Sequence, residues 1–301
     1  SSAATTEIAC PAGEKCENGQ SSDCPKGKFC IEGQAPQDCK AGSYSSVAGL
    51  SLVTDCVKCV AGTFSNPPGA TAEETCKDCA AGSFSTISGA PNSDACLACA
   101  AGTFSSAVAQ TTCIECAAGT FQANTGQEIC RACAAGTFQD QPKQTACKAT
   151  DDTKCASVDG TSCNNGLGAS AQIACPAGQI CTAGTSTSCP AGQFCIAGLA
   201  PQDCAAGSYS SVTGLSLVTQ CVKCAAGTFN PLSGQKEEAA CQDPEANKCA
   251  SINGSTCNND LGATQQIDCP AGQICTAGTS TSCPKGKFCV EGQAPQDCKA
   301  G

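Results

Sequence analysis

The sequence predicts a small disulfide-rich repeat fold: an extended rod of tandem cysteine-rich modules with short β-hairpins and little regular secondary structure. Three observations predict it. The 301 residues include 33 cysteines and no histidine. One motif, Cys-x-x-Gly-x-(Phe/Tyr), returns at fixed steps. Leu, Ile, Val and Phe make up only roughly 13% of the chain, below the ~20% that ordinarily supports a packed core. Ordering one residue costs about 1–2 kcal/mol in backbone entropy. So little apolar area cannot offset that cost, so cross-links must restrict the unfolded chain. A closed loop of ~15 residues contributes about 3 kcal/mol in the chain-entropy model.

Residues 1–38 read as short modules in which the second cysteine follows the stem directly, as in Cys24-Pro-Lys-Gly-Lys-Phe-Cys30. Residues 39–147 hold six tandem long modules, each a stem, a polar loop and a second cysteine. Their stems begin at Cys39, Cys59, Cys79, Cys99, Cys116 and Cys133, first 20 and then 17 residues apart. Residues 148–203 join a linker loop, Cys155 to Cys163, to short modules. Residues 204–241 hold two more long modules. Residues 242–301 repeat the linker and short modules and are expected to stop in mid-repeat. Ala35–Phe64 and Ala200–Phe229 are almost the same sequence, so length varies by whole modules. Dense Gly and Pro predict turns, and pairs such as Gly-Thr-Phe-Ser predict two-stranded rungs. Thr5–Ile8 and Leu261–Ile267 come nearest to helical turns.

Pairing each stem cysteine with the next cysteine accounts for every site but Cys298. It gives Cys39–Cys56, Cys59–Cys76, Cys79–Cys96, Cys99–Cys113, Cys116–Cys130, Cys133–Cys147, Cys155–Cys163, Cys204–Cys221, Cys224–Cys241 and Cys249–Cys257. In the tetrad Cys10, Cys16, Cys24 and Cys30, adjacent pairing and a nested arrangement (Cys10–Cys30 with Cys16–Cys24) both close. The tetrads Cys175, Cys181, Cys189, Cys195 and Cys269, Cys275, Cys283, Cys289 stay open in the same way. By analogy with Cys204–Cys221, a partner for Cys298 is expected beyond Gly301. Cys56-x2-Cys59-x16-Cys76-x2-Cys79 also matches a four-cysteine zinc spacing. Five Cys-x2-Cys pairs follow one another from Cys56 to Cys133, however, and one would always lack a mate. Cystines are therefore expected, with no metal and no cofactor. The ring at the sixth position of each stem is expected to cover the cystine of its own or the next module.

Without histidine there is no Ser-His or Cys-His nucleophile, and no enzyme is expected. The carboxylate pairs Glu73-Glu74, Asp151-Asp152 and Glu237-Glu238 read as solvated surface. Asp151–Asn165 and Asp243–Asp260 gather oxygens that suit weak calcium binding, without an EF-hand pattern. A net charge of −10 argues against nucleic acid and anionic membrane surfaces. No apolar run is long enough to insert in a membrane. Asn253-Gly-Ser255 is an N-glycosylation sequon, and Thr185–Ser188 and Thr279–Ser282 suit O-glycans.

The motif Cys-x-Ala-Gly-Thr-Phe…Cys-x2-Cys, covering nearly the whole chain, resembles the ephrin-receptor-like cysteine-rich repeat, a relative of TNF-receptor and EGF-like modules. Long arrays of this kind resemble protist surface proteins, namely ciliate immobilisation-type antigens and mastigoneme shaft proteins. The resemblance supports the long-module pairing and implies no catalytic residue. It implies an extracellular or cell-surface structural protein whose partners are copies of itself in a filament or coat. A cell-surface antigen, receptor or adhesin ectodomain that binds a protein or glycan ligand is the alternative.

Overall fold

The computed structural model describes residues 9–298, so the helical expectation at Thr5–Ile8 lies outside the described residues. It contains fifteen two-stranded sheets and no strand longer than four residues among those described. The fold is a series of small disulfide-rich repeats. Two compact units are distinguished: Ser1–Cys133 with Gln139–Lys148, and Ala134–Phe138 with Ala149–Gly301.

In the first unit each long module builds one rung. The stem turns back on itself, with Ser43 N donating to Lys40 O at 3.0 Å. Ser43–Tyr44 then pairs antiparallel with Val57–Lys58, just past the second cysteine. Thr63–Phe64 with Lys77–Asp78, and Ser83–Phe84 with Leu97–Ala98, repeat it. The ring therefore lies opposite Val57, Lys77 or Leu97 across its rung, a pairing that suits a pleated, half-buried surface.

The first two long modules are joined by four backbone hydrogen bonds. Gly42 N donates to Ser65 O (2.8 Å) and Ser45 N to Ala70 O (3.0 Å). In return, Cys59 N donates to Gly42 O (2.9 Å) and Gly69 N to Cys39 O (2.8 Å). The same four bonds recur from the stems at Cys79, Cys99 and Cys204. They also recur from the short modules at Cys24 and Cys189, where Cys30 and Cys195 take the position of Ser45. Long and short modules thus present one interface, which is why whole modules can be added without disturbing their neighbours.

The two long-module lengths differ by one 3₁₀ turn. Cystines spanning 17 residues enclose Val53–Asp55, Glu73–Thr75, Ser93–Ala95, Val218–Gln220 or Glu238–Ala240. Those spanning 14 residues, from Cys99, Cys116 and Cys133, enclose none. A 3₁₀ turn holds three residues, so removing one keeps the flanking chain on the same face. In two of the shorter loops a buried glutamine ties the loop instead. Gln122 Nε2 donates to Ile129 O (2.8 Å) and Gln139 Nε2 to Ala146 O (2.7 Å).

In the second unit Lys154–Ser157 pairs with Ala171–Ala174, and the hairpin Gln179–Thr182/Thr185–Ser188 follows. The later copy repeats this with Lys248–Ser251, Gln265–Asp268 and the hairpin Gln273–Thr276/Thr279–Ser282. Leu261–Ile267 is therefore not a helical turn. Gln265–Asp268 is a strand with Ile267 opposite Cys249, and Ala263 bridges to Phe229. Neighbouring strands take up the backbone groups that a helix would bond internally.

The core is thin and mostly sulfur. Cys24, Cys39, Cys59, Cys79, Cys99, Cys116 and Cys133 are all buried, as are the stem cysteines of the second unit up to Cys269. Phe29 packs on Cys39 and Cys56, and Phe194 on Cys204, so these rings do cover the cystine of the next module. Phe138 and Phe229 instead pack on Ala156 and Ala169 and on Ala250 and Ala263, because a linker strand follows them rather than another stem.

The stem glycine also meets the module after next. At Gly42 (φ 83°) a Cβ would overlap the Gly89 carbonyl oxygen, and at Gly62 (φ 86°) that of Ala109. Gly286 has a similar φ of 83° but nothing within 4 Å among the described residues. A left-handed backbone costs an L-residue about 1–2 kcal/mol, so Gly286→Ala should lose about that much. Gly62→Ala should lose clearly more, because it must also displace a packed carbonyl. Denaturant unfolding of both variants with disulfides intact checks this. Equal losses would discard the carbonyl contact as the cause.

Candidate functional site

Sixteen cystines are the chief chemical feature of the described residues. The long modules close as Cys39–Cys56, Cys59–Cys76, Cys79–Cys96, Cys99–Cys113, Cys116–Cys130, Cys133–Cys147, Cys204–Cys221 and Cys224–Cys241. The linkers close as Cys155–Cys163 and Cys249–Cys257. In each tetrad the structure takes adjacent pairing rather than the nested arrangement: Cys10–Cys16, Cys24–Cys30, Cys175–Cys181, Cys189–Cys195, Cys269–Cys275 and Cys283–Cys289. Cys298 is free and exposed. This density of cystines fits an oxidising, secreted or extracellular setting. No helix among the described residues is long and apolar enough to cross a membrane.

Two cystines touch at each linker. The sulfurs of Cys155, Cys163 and Cys181 all lie within 4.8 Å of one another, as do those of Cys249, Cys257 and Cys275. Cys257 Sγ and Cys275 Sγ are 3.9 Å apart. No other trio of His, Cys, Asp or Glu ligand atoms is so close among the described residues, and every member of these two is already bonded to sulfur. An amide clasp holds the contact. Asn165 Nδ2 donates to Ser186 O and Ser186 N donates to Asn165 Oδ1, both at 2.8 Å. Asn259 and Ser280 repeat the clasp at 3.0 and 2.8 Å. Sequence reasoning missed these asparagines, although an Asn-Asn pair directly follows the second linker cysteine in both copies.

Among the described residues the linker carboxylates form no group of three with ligand oxygens within 4.8 Å of one another. Asp151 is held by Lys154 Nζ (2.7 Å) and Gln172 Nε2 (2.8 Å). The hydrogen bond from Lys154 holds its pKa below the usual carboxylate range, which makes it a poor proton donor near neutrality. Glu245 is lowered chiefly by its hydrogen bond from Lys248. Asn164 and Asn258 cap their own turns through Gly166 N and Asp260 N. Glu73-Glu74 and Glu237-Glu238 lie at 3₁₀ turns that bury no residue.

Asp159 and Asn253 occupy equivalent turns. Asp159 Oδ1 accepts from Thr161 N (2.8 Å) and Ser162 N (2.9 Å), and Oδ2 from Ser162 Oγ (2.8 Å). In the later copy Asn253 Oδ1 accepts from Ser255 N (2.9 Å) and Thr256 N (3.0 Å), and Nδ2 donates to Thr256 Oγ1 (3.1 Å). The sequon is thus exposed but folded into its turn.

A cavity of about 350 Å³ lies beside the first linker, lined by Asp151, Asp152, Lys154, Ile180 and Leu199, with the Cys175–Cys181 cystine in its wall. No family model matches this chain, and no curated protein matches it.

The Asp159 turn should respond to acid. The Thr161 amide, then the Ser162 amide and hydroxyl, hold the carboxylate well below its usual range. A lowered folded pKa stabilises the turn above the unfolded value of about 3.9, and that contribution is lost as pH falls through the folded value. Amide exchange at Thr161 and Ser162 should quicken at the acid end, while Ser255 and Thr256 show only the intrinsic trend. Asp159→Asn should remove the difference; exchange that stays pH-sensitive in that variant would discount the carboxylate.

Proposed function

We propose that the chain is an extracellular structural repeat protein that forms the shaft of a self-assembling surface filament or a cell coat. What carries this reading is the module interface: the same four backbone bonds join long and short modules alike. Such an interface has no preferred number of copies, and heterologous contacts of that type propagate rather than close. On this reading the modules are ephrin-receptor-like, in the EGF-like style. The partners are copies of the same chain, at the cell surface. An N-glycan at Asn253 and O-glycans at Thr185–Ser188 and Thr279–Ser282 belong to the same proposal. Because Asn253 caps a turn inside the Cys249–Cys257 loop, its glycan would be added before that loop closes.

One observation favours a receptor or adhesin ectodomain instead, the cavity of about 350 Å³ beside the first linker, which is large enough for a small ligand. Electron microscopy of native material separates the two. The filament reading expects ordered polymers with a regular axial repeat. Dispersed single chains with no ordered polymer would remove it.

A further inference from the structure

We propose that the Cys175–Cys181 cystine, in the wall of that cavity, is a covalent attachment site for a small thiol, and that the neighbouring Cys155–Cys163 cystine makes the attachment stick. The cavity gives an entering thiol room beside the bond. Cys181 Sγ lies within 4.8 Å of both Cys155 Sγ and Cys163 Sγ, where Asn165 clasps the linker loop to the hairpin.

The chemistry is thiol–disulfide exchange in two steps. The entering thiolate attacks Cys175 Sγ, the Cys175–Cys181 bond breaks, and its electron pair leaves on Cys181. The Cys181 thiolate then attacks Cys163 Sγ, and the Cys155–Cys163 bond breaks with its electron pair on Cys155. Cys155 takes up the proton that the entering thiol gave up. Two disulfides are consumed and two are made, Cys163–Cys181 and the mixed disulfide at Cys175, so no oxidant is needed.

Retention follows from where the thiol ends up. At an isolated cystine the displaced thiolate stays beside the mixed disulfide and expels the newcomer. Here that thiolate is spent on a second bond. The thiol finally released, Cys155, is fully buried beside Ala156, and burial in apolar surroundings raises a thiol's pKa and makes it inert. Cys10–Cys16 is the natural control. It closes the same six-residue span, and no third sulfur lies beside it among the described residues.

The test uses the whole chain, with Cys298 blocked by N-ethylmaleimide and glutathione as the probe at neutral pH. The products are acid-quenched and mapped as non-reduced peptides by mass spectrometry. Glutathione on Cys175 together with a Cys163–Cys181 peptide should exceed glutathione at Cys10 or Cys16 by about tenfold. Asn165→Ala, which frees the clasp without touching a cysteine, should lower the crossover peptide several-fold. Equal adducts at the two cystines, or adducts at Cys175 with Cys155–Cys163 still intact, would overturn the proposal.

Discussion

Everything in this chain hangs on the stem cysteine. Its sulfur closes the loop of its own module, and its carbonyl takes an amide from the loop of the next, as Cys39 O does from Gly69 N. One buried residue is therefore both the covalent staple and the hydrogen-bond node. This double duty explains how so apolar-poor a sequence holds a fixed fold. Closing a loop of ~15 residues removes about 3 kcal/mol of unfolded-state freedom per module in the chain-entropy model. The hydrogen bonds need only fix the register between loops that are already small. The rings of Phe29 and Phe194 then shield sulfur instead of building a core of their own.

Much of this was legible in the residues. A stem cysteine, a glycine three residues on and a ring two further on fix the turn and rung locally, so spacing alone pointed to a disulfide-rich repeat fold with short two-stranded rungs. The tetrads were not decidable in that way, since adjacent and nested pairings close loops of similar cost. The structure closes them adjacently, with the Cα atoms of Cys24 and Cys30 5.7 Å apart and Cys30 standing where Ser45 stands in a long module, one position past the ring. The reach of the Gly89 loop to Gly42 was equally hidden, because it joins modules that are not neighbours in sequence. Leu261–Ile267 was misread for a related reason, since its partners Lys248–Ser251 and Phe229 lie well upstream.

The two linker copies show which features the architecture requires and which it tolerates. Both keep the amide clasp and the touching sulfurs. The turn cap changes from Asp159 to Asn253 with the same backbone acceptor geometry, because either side chain offers the one oxygen the turn needs. That exchange alters charge, pH response and the potential for glycosylation without altering the fold. Surface chemistry can vary on this scaffold while its staples and rungs remain fixed.

The position of the staples also sets how far the chain can be drawn out. Between Cys56 and Cys59 only Val57 and Lys58 lie outside a closed loop, and the Cα atoms of Cys39 and Cys56 are 5.9 Å apart. A taut path would cross the cystine and then three peptide units, about 17 Å per module at ~3.8 Å per Cα step. The same twenty residues without cystines would span about 70 Å at full extension. Even with every hydrogen bond broken, such a tether yields little length under load until a sulfur–sulfur bond is cut. Its compliance is thereby placed under redox control.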